Sequence, residues 1–164
     1  MMDTTPVTQA LDALQIPYRF LRHPGEVQSV EQAAQERSLT IDQVVRSIVF
    51  RVRTAHFVMV LVSGNHQISW LLLRKYLNQS RLTLATEEEV LQVTGYQRGA
   101  VSPFGLPAPM QILVDQTVMG IEEVSIGAGE RHTAVILKTF DLLNALGEVE
   151  IVNLTDSYFR SLAL

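Results

Sequence analysis

Three groups of residues in this chain have types and spacing suited to chemistry. The first is Arg46, inside the β-branched run Val44 to Val52. Alternate residues of a strand share a face, so Arg46 falls in line with Val44, Ile48, Phe50 and Val52. A guanidinium beside apolar side chains keeps its proton and requires an anion or several acceptors. Either Arg46 meets a phosphate or carboxylate at the end of the sheet, or the strand starts at Ser47 and Arg46 points into water. The second group is the run Gly95-Tyr96-Gln97-Arg98-Gly99-Ala100-Val101-Ser102-Pro103-Phe104-Gly105. Small side chains let a ligand approach the backbone, whose amides can hold an oxyanion or a carbonyl, and proline fixes one end. The same composition also suits a plain helix-to-strand turn. The third is Gly127-Ala128-Gly129-Glu130-Arg131-His132, which either brings His132 to a substrate or forms a hairpin turn with an exposed histidine.

The familiar catalytic signatures are missing. Ser102 has the wrong flanking glycines for a nucleophile elbow. There is no phosphate-binding P-loop, and Gly127-Ala128-Gly129 lacks the third glycine and the helix of a dinucleotide fingerprint. The four histidines show no metal-binding spacing, and the chain has no cysteine. Disulfides, thiolate metal sites and cysteine nucleophiles are thereby excluded, and no metal or other cofactor is expected.

The elements that must position these groups follow from local signals. Thr5-Pro6 opens a helix that Pro17 ends, and Tyr18 to Leu21 is a short strand. Ser29 caps a helix over 30–37, and Thr40 to Gln43 is a capping box on a very short helix. Val44 to Val52 and Phe57 to Val62 form a hairpin, Ser69 to Leu77 a helix, Arg81 to Leu84 a strand. Thr86 opens a helix that Gly95 closes. Strands follow at Met110 to Val114, Glu123 to Ile126 and Thr133 to Leu137. Thr139 caps a last helix ending near Gly147, and Glu148 to Val152 is an edge strand. The expected architecture is α/β, a single domain over 1–164 with a mixed, largely antiparallel sheet.

At 164 residues, one domain is the default, since domains commonly hold about 100–200. Apolar residues are 47%, enough for a real core, and the longest apolar run, Phe57 to Val62, is far short of the ~20 residues that span a bilayer. The first residues lack a secretory pattern, so a cytoplasmic protein without a membrane partner is expected. The net charge of −4 speaks against a general nucleic-acid coat. The charge is divided, however: residues 1–82 carry an excess of three positive charges and residues 83–164 an excess of seven negative ones. Either Arg46, Arg51, Arg53, Arg74, Lys75 and Arg81 gather on one side and the first half alone meets a polyanion, or the charges of the two halves mix on folding.

Taken together in this order, the three groups resemble the YbaK-type family, which includes the editing domain of bacterial prolyl-tRNA synthetases and its free-standing relatives. The specific part is Gly99-Ala100-Val101-Ser102-Pro103-Phe104-Gly105; Val45 to Phe50, Val124 to Gly129 and Thr139 to Leu142 support it. The resemblance runs from about residue 4 to 147. It implies a barrel-like sheet surrounded by helices and hydrolysis, in trans, of a small amino acid from mischarged tRNA. Gly99, Ala100, Val101, Ser102 and Pro103 match the loop that holds the aminoacyl end and its water through backbone groups. Arg46 stands where the family usually has a lysine that engages the terminal phosphate. Ser47, Gly127, Gly129 and His132 complete the implied substrate-binding set. If the lysine is a fixed charge, Arg46 keeps its role; if it shuttles a proton, Arg46 cannot.

The expected partners are an aminoacyl-tRNA and an aminoacyl-tRNA synthetase, with the chain a monomer or weak homodimer. The competing expectations are a non-catalytic module that binds a tRNA end or nucleotide, and a hydrolase of another small ester. The tail's Tyr158, Phe159, Leu162 and Leu164 either dock on the core or on a second subunit.

Overall fold

Short polar side chains placed ahead of apolar runs start most of the helices. The computed structural model describes residues 4–156, so the tail's four apolar residues lie outside the described part. Thr5 caps helix α1 (Pro6–Ala13), Ser29 caps α2 (Val30–Arg37), Ser69 caps α3 (Trp70–Leu77) and Thr86 caps α4 (Glu87–Thr94). Each side-chain oxygen accepts from an otherwise unpartnered backbone N–H in the first turn. Gly95 closes α4 in the left-handed conformation. Helix α5 (Thr139–Leu146) departs from expectation. Thr139 is its first helical residue, Lys138 takes the cap position, and no side chain caps the helix. The helix thus begins one residue earlier than a Thr139 cap would set it, and the Thr139 amide donates to Glu122 O at 2.9 Å.

The strands are β1 (Arg19–Arg22), β2 (Val45–Arg53), β3 (His56–Ser63), β4 (Thr83–Leu84), β5 (Gln111–Asp115), β6 (Glu123–Gly127), β7 (Thr133–Lys138) and β8 (Glu150–Val152). They form two sheets, β1-β7-β6 and β4-β2-β3-β5-β8. The first is antiparallel; the second is mixed, with β3–β5 and β5–β8 parallel. The mixed, largely antiparallel α/β reading therefore stands, with β8 at an edge as expected. No pairing among the described residues closes a barrel; the sheets meet at one parallel bridge, Val44–Ser125. The strand expected from Arg81 is only Thr83–Leu84, because β2 offers it pairing at Phe50 and Arg51 alone.

Strand β3 runs through the middle of the molecule, and its two faces serve two cores. Met59 and Leu61 join Val45, Val49, Ile126, Leu137 and the α1 residues Val7 and Leu11 in the larger core, which draws on both sheets. Val58 and Val60 face Phe50, Leu73 and Leu154 on the other side. Each fully buried aliphatic side chain contributes about 1.5–3 kcal/mol by leaving water. Ala33 and Ala34 hold α2 against Val44, close to the bridge between sheets. Since β4 covers only Phe50 and Arg51, the beginning of β2 is open on that side, and the sheet junction leaves a recess there.

Candidate active site

The recess is a cavity of about 640 Å³, within the range of small-molecule sites. Its walls come from the start of β2 (Val45, Arg46, Ser47, Ile48), the helix α2 with the loop before it, the Arg98-to-Val101 segment, the end of β6 at Gly127, and Arg131 to Thr133.

The loop after α4 is seated against the end of β6 by backbone contacts. Gly129 N donates to Ala100 O at 3.1 Å. A Cβ on Gly127 would stand 2.5 Å from Val101 O, so only glycine allows this approach. Gly129 has φ +89, and a Cβ there would strike the Tyr96 ring at 2.8 Å. Tyr96 is buried and donates its hydroxyl to Phe104 O at 2.5 Å, pinning the loop from below. Burial pushes the Tyr96 phenol up to about 12. Ser102 Oγ accepts from Phe104 N at 3.2 Å, a structural bond. The amides of Gly99 and Val101, both on the cavity wall, donate to nothing within the described residues. The same holds for Ser47 Oγ, a shielded hydroxyl on the opposite wall.

Arg46 lies within β2, paired with Val62, so it does not precede the strand. Its Nε donates to Gly64 O at 2.8 Å and its Nη2 to His66 O, which ties the guanidinium to the loop after β3. Nη1 makes no hydrogen bond among the described residues. Burial alone draws its proton affinity down. Strand alternation sends Arg46 and Ser47 to opposite faces, and the cavity reaches both because it wraps the open end of β2.

The sequence-expected residues thus separate by place. Arg46, Ser47, Gly99, Val101, Gly127 and His132 line the cavity. Ala100, Ser102, Pro103 and Gly129 are not on its wall; Ala100 and Ser102 are buried behind it. His132 precedes β7 with φ +67, a left-handed conformation uncommon for a side-chain-bearing residue, and its carbonyl accepts from His23 N at 2.7 Å.

Sequence reasoning missed one group altogether. Buried His23 bonds Glu36 Oε1 through Nδ1 at 2.7 Å and receives Arg37 Nε at Nε2 at 3.1 Å. Arg37 Nη1 donates onward to Ser125 Oγ at 2.9 Å. Arginine can only donate, so His23 carries its proton on Nδ1 and is neutral in this arrangement. Bonds from Gln32 and then His23 hold the Glu36 carboxyl below its usual range. Desolvation draws Arg37 down to about 10. Arg37 follows buried Ala33 and Ala34 at helical spacing, and an arginine on an apolar helix face was the signal available in the sequence. Arg37, Arg46, Arg98 and Arg131 line the cavity, and Glu26 is the only carboxylate among its lining residues. That balance suits an anionic ligand, and it draws on both halves of the chain. Arg51, Arg53, Arg74, Lys75 and Arg81 are not on the wall.

The family model for the aminoacyl-tRNA editing domain matches residues 24–145, which takes in every residue of the cavity wall except His23. Proline–tRNA ligases are among the relatives in sequence. That of Trichlorobacter lovleyi is 31% identical over 108 residues, 66% of this chain and 19% of that one. That of Kosmotoga olearia is 31% identical over 127 residues, 77% of this chain and 21% of that one. The chain thus spans about a fifth of the length of these curated relatives. Among solved structures, hypothetical protein APE2540 superposes with a TM-score of 0.83 at 19% identity, covering 93% of this chain and 100% of that one. A structure described as a candidate trans-editing enzyme for prolyl tRNA synthetase gives 0.82 at 25% identity, covering 92% and 95%. With most of its length under the family match and its fold shared almost end to end, the chain belongs to the aminoacyl-tRNA editing domain family.

Proposed function

We propose that the chain acts in trans as a deacylase, hydrolysing the ester between a small amino acid and the 3′ end of tRNA. The observation that carries the reading is the pair of unengaged amides, Gly99 and Val101, in residues that line a cavity whose charged lining is mainly cationic. An aminoacyl ester is already activated, so positioned water and oxyanion stabilisation suffice without a side-chain base. Water attacks the ester carbonyl, and the loop amides take up the charge that develops on its oxygen. The carbon–oxygen bond to the ribose breaks, the ribose oxygen gains a proton, and free amino acid and tRNA leave. The neighbouring ribose hydroxyl of the substrate orients the water. Arg46, through Nη1, meets the terminal phosphate as a fixed charge. Ser47 and His132 line the part of the wall that receives the aminoacyl end, and the chain draws its substrates from a synthetase that mischarges tRNA.

Single-turnover hydrolysis of tRNAs charged with alanine, cysteine, serine, threonine and proline, with chelator present, tests this. Release of one or two of these amino acids is expected. Tight tRNA binding with no release from any would instead make the chain a binding module. Turnover of a free ester without tRNA would make it a general esterase.

A further inference from the structure

Four exposed arginines in this molecule pair with carboxylates: Arg19 with Glu123, Arg22 with Glu130, Arg51 with Glu89 and Arg98 with Glu87. Arg37 and Arg46, the two half-buried arginines of the cavity wall, bond no carboxylate among the described residues. Arg46 bonds only the carbonyls of Gly64 and His66. Arg37 bonds only the neutral His23 ring and the Ser125 hydroxyl, and Glu36 directs its own carboxylate to His23 and Gln32. Glu36 acts on Arg37 through space without bonding it, and a half-buried charge that no carboxylate bonds directly is costly to desolvate. The arrangement is accounted for if the counter-ion arrives with the ligand.

We propose that Arg37 is a second phosphate-contacting residue, aimed into the cavity by His23 and Ser125, which grips a phosphodiester of the tRNA end alongside Arg46. This rests on the editing reading above. The accounting of N–H groups supports it. Nε and Nη1 are fixed by acceptors from two other elements, whereas Nη2 bonds nothing among the described residues, and the side chain lies on the cavity wall. Two anchored corners hold the guanidinium plane, so little rotamer freedom remains to be lost on binding. With Arg98 and Arg131 on the same wall, the cationic surface has no counterpart in an aminoacyl ester, which carries no carboxylate, and a chain of phosphates matches it.

Uncharged tRNA is the probe, because it carries the phosphates and no amino acid. Its affinity is measured over a range of salt concentrations for wild type, Arg37→Gln and Ser125→Ala. Arg37→Gln is expected to weaken binding roughly tenfold. It should also lower the magnitude of the log–log salt slope by about 0.7, the loss of one single-strand phosphate contact. Ser125→Ala, which removes one anchor of the guanidinium but keeps its charge, should weaken binding less than Arg37→Gln and lower the slope by less. A folded Arg37→Gln protein with the wild-type slope overturns the proposal, since a purely structural role would not move it. If Arg37→Gln does not fold, the Arg37 Nε–H resonance of the wild type is followed during titration with the trinucleotide CCA. A saturable shift supports the contact, and an unmoved resonance overturns it. A wild type that binds tRNA but hydrolyses no aminoacyl ester would fail the editing reading alone. A wild type that binds no tRNA overturns both.

Discussion

In the proposed function, Arg46 serves the fold and the ligand together. Two of its nitrogens hold the loop after β3 and a third is left toward the cavity. Lysine in its place keeps the charge but cannot satisfy two carbonyls in a fixed fork. Arg46→Lys is therefore expected to lower stability by about 1 kcal/mol while keeping the salt slope of tRNA binding. Arg46→Ala should lose both, and denaturant melts alongside binding titrations read the two effects separately. Arg46 was legible in the sequence because its neighbours at alternate positions are apolar. Arg37 was not, because its partners lie 14 and 88 positions away and only the fold brings them in. For the same reason the sequence could mark Gly99 to Pro103 as one segment but could not say that Ala100 and Ser102 turn away from the cavity.

Among the elements, α4 leads into the Gly99-to-Pro103 loop that the proposed function uses. Thr86 and Glu89 exchange two bonds at its start, Glu89 N to Thr86 Oγ1 at 3.1 Å and Thr86 N to Glu89 Oε1 at 2.9 Å. At its other end Thr94 Oγ1 accepts from Tyr96 N at 3.0 Å, just before the loop begins. Thr86→Ala should cost about 1 kcal/mol, read as a lowered denaturant midpoint. Deacylation should stay near wild type, because the loop is clamped independently through Gly129 and Tyr96. Elements of this kind were readable because capping is a matter of three or four neighbouring residues. The exception is Thr139, which is the first helical residue and whose buried hydroxyl bonds nothing among the described residues. The division into two sheets and the parallel placement of β5 and β8 are long-range pairings that local periodicity does not encode.

For the whole molecule, the ionisable groups define a window of stability. Glu31, Glu36 and Glu89 are held below their usual range, Glu31 and Glu89 chiefly by backbone hydrogen bonds and Glu36 chiefly by Gln32. A depressed carboxyl stabilises the fold above its unfolded value, here near 4.5, and loses that contribution as pH falls through the folded value. Tyr96 acts in the opposite sense. Its raised value favours the fold below pH 10, and the contribution is lost as pH climbs toward about 12. Thermal melts across pH should therefore show a plateau at neutral pH and a fall on each side. In Tyr96→Phe the alkaline fall should shrink, and an unchanged alkaline limb would contradict the assignment. The charge division seen along the chain does not survive folding as a division of labour, because Arg98 and Arg131 from the acidic half join Arg37 and Arg46 around one cavity.

The central claim is that backbone amides, presented by a loop seated on glycine, carry out the hydrolysis. Gly127→Ala tests it most directly, because a Cβ there would stand 2.5 Å from Val101 O and must displace the loop without removing any charged or polar side chain. The measurement is single-turnover hydrolysis of the amino acid that the wild type releases fastest, beside binding of uncharged tRNA. The expected result is a hydrolysis rate lower by about a hundredfold or more, the effect of misplacing an oxyanion donor, with tRNA affinity within a few-fold of wild type. A folded Gly127→Ala protein that hydrolyses its substrate at the wild-type rate would contradict the account.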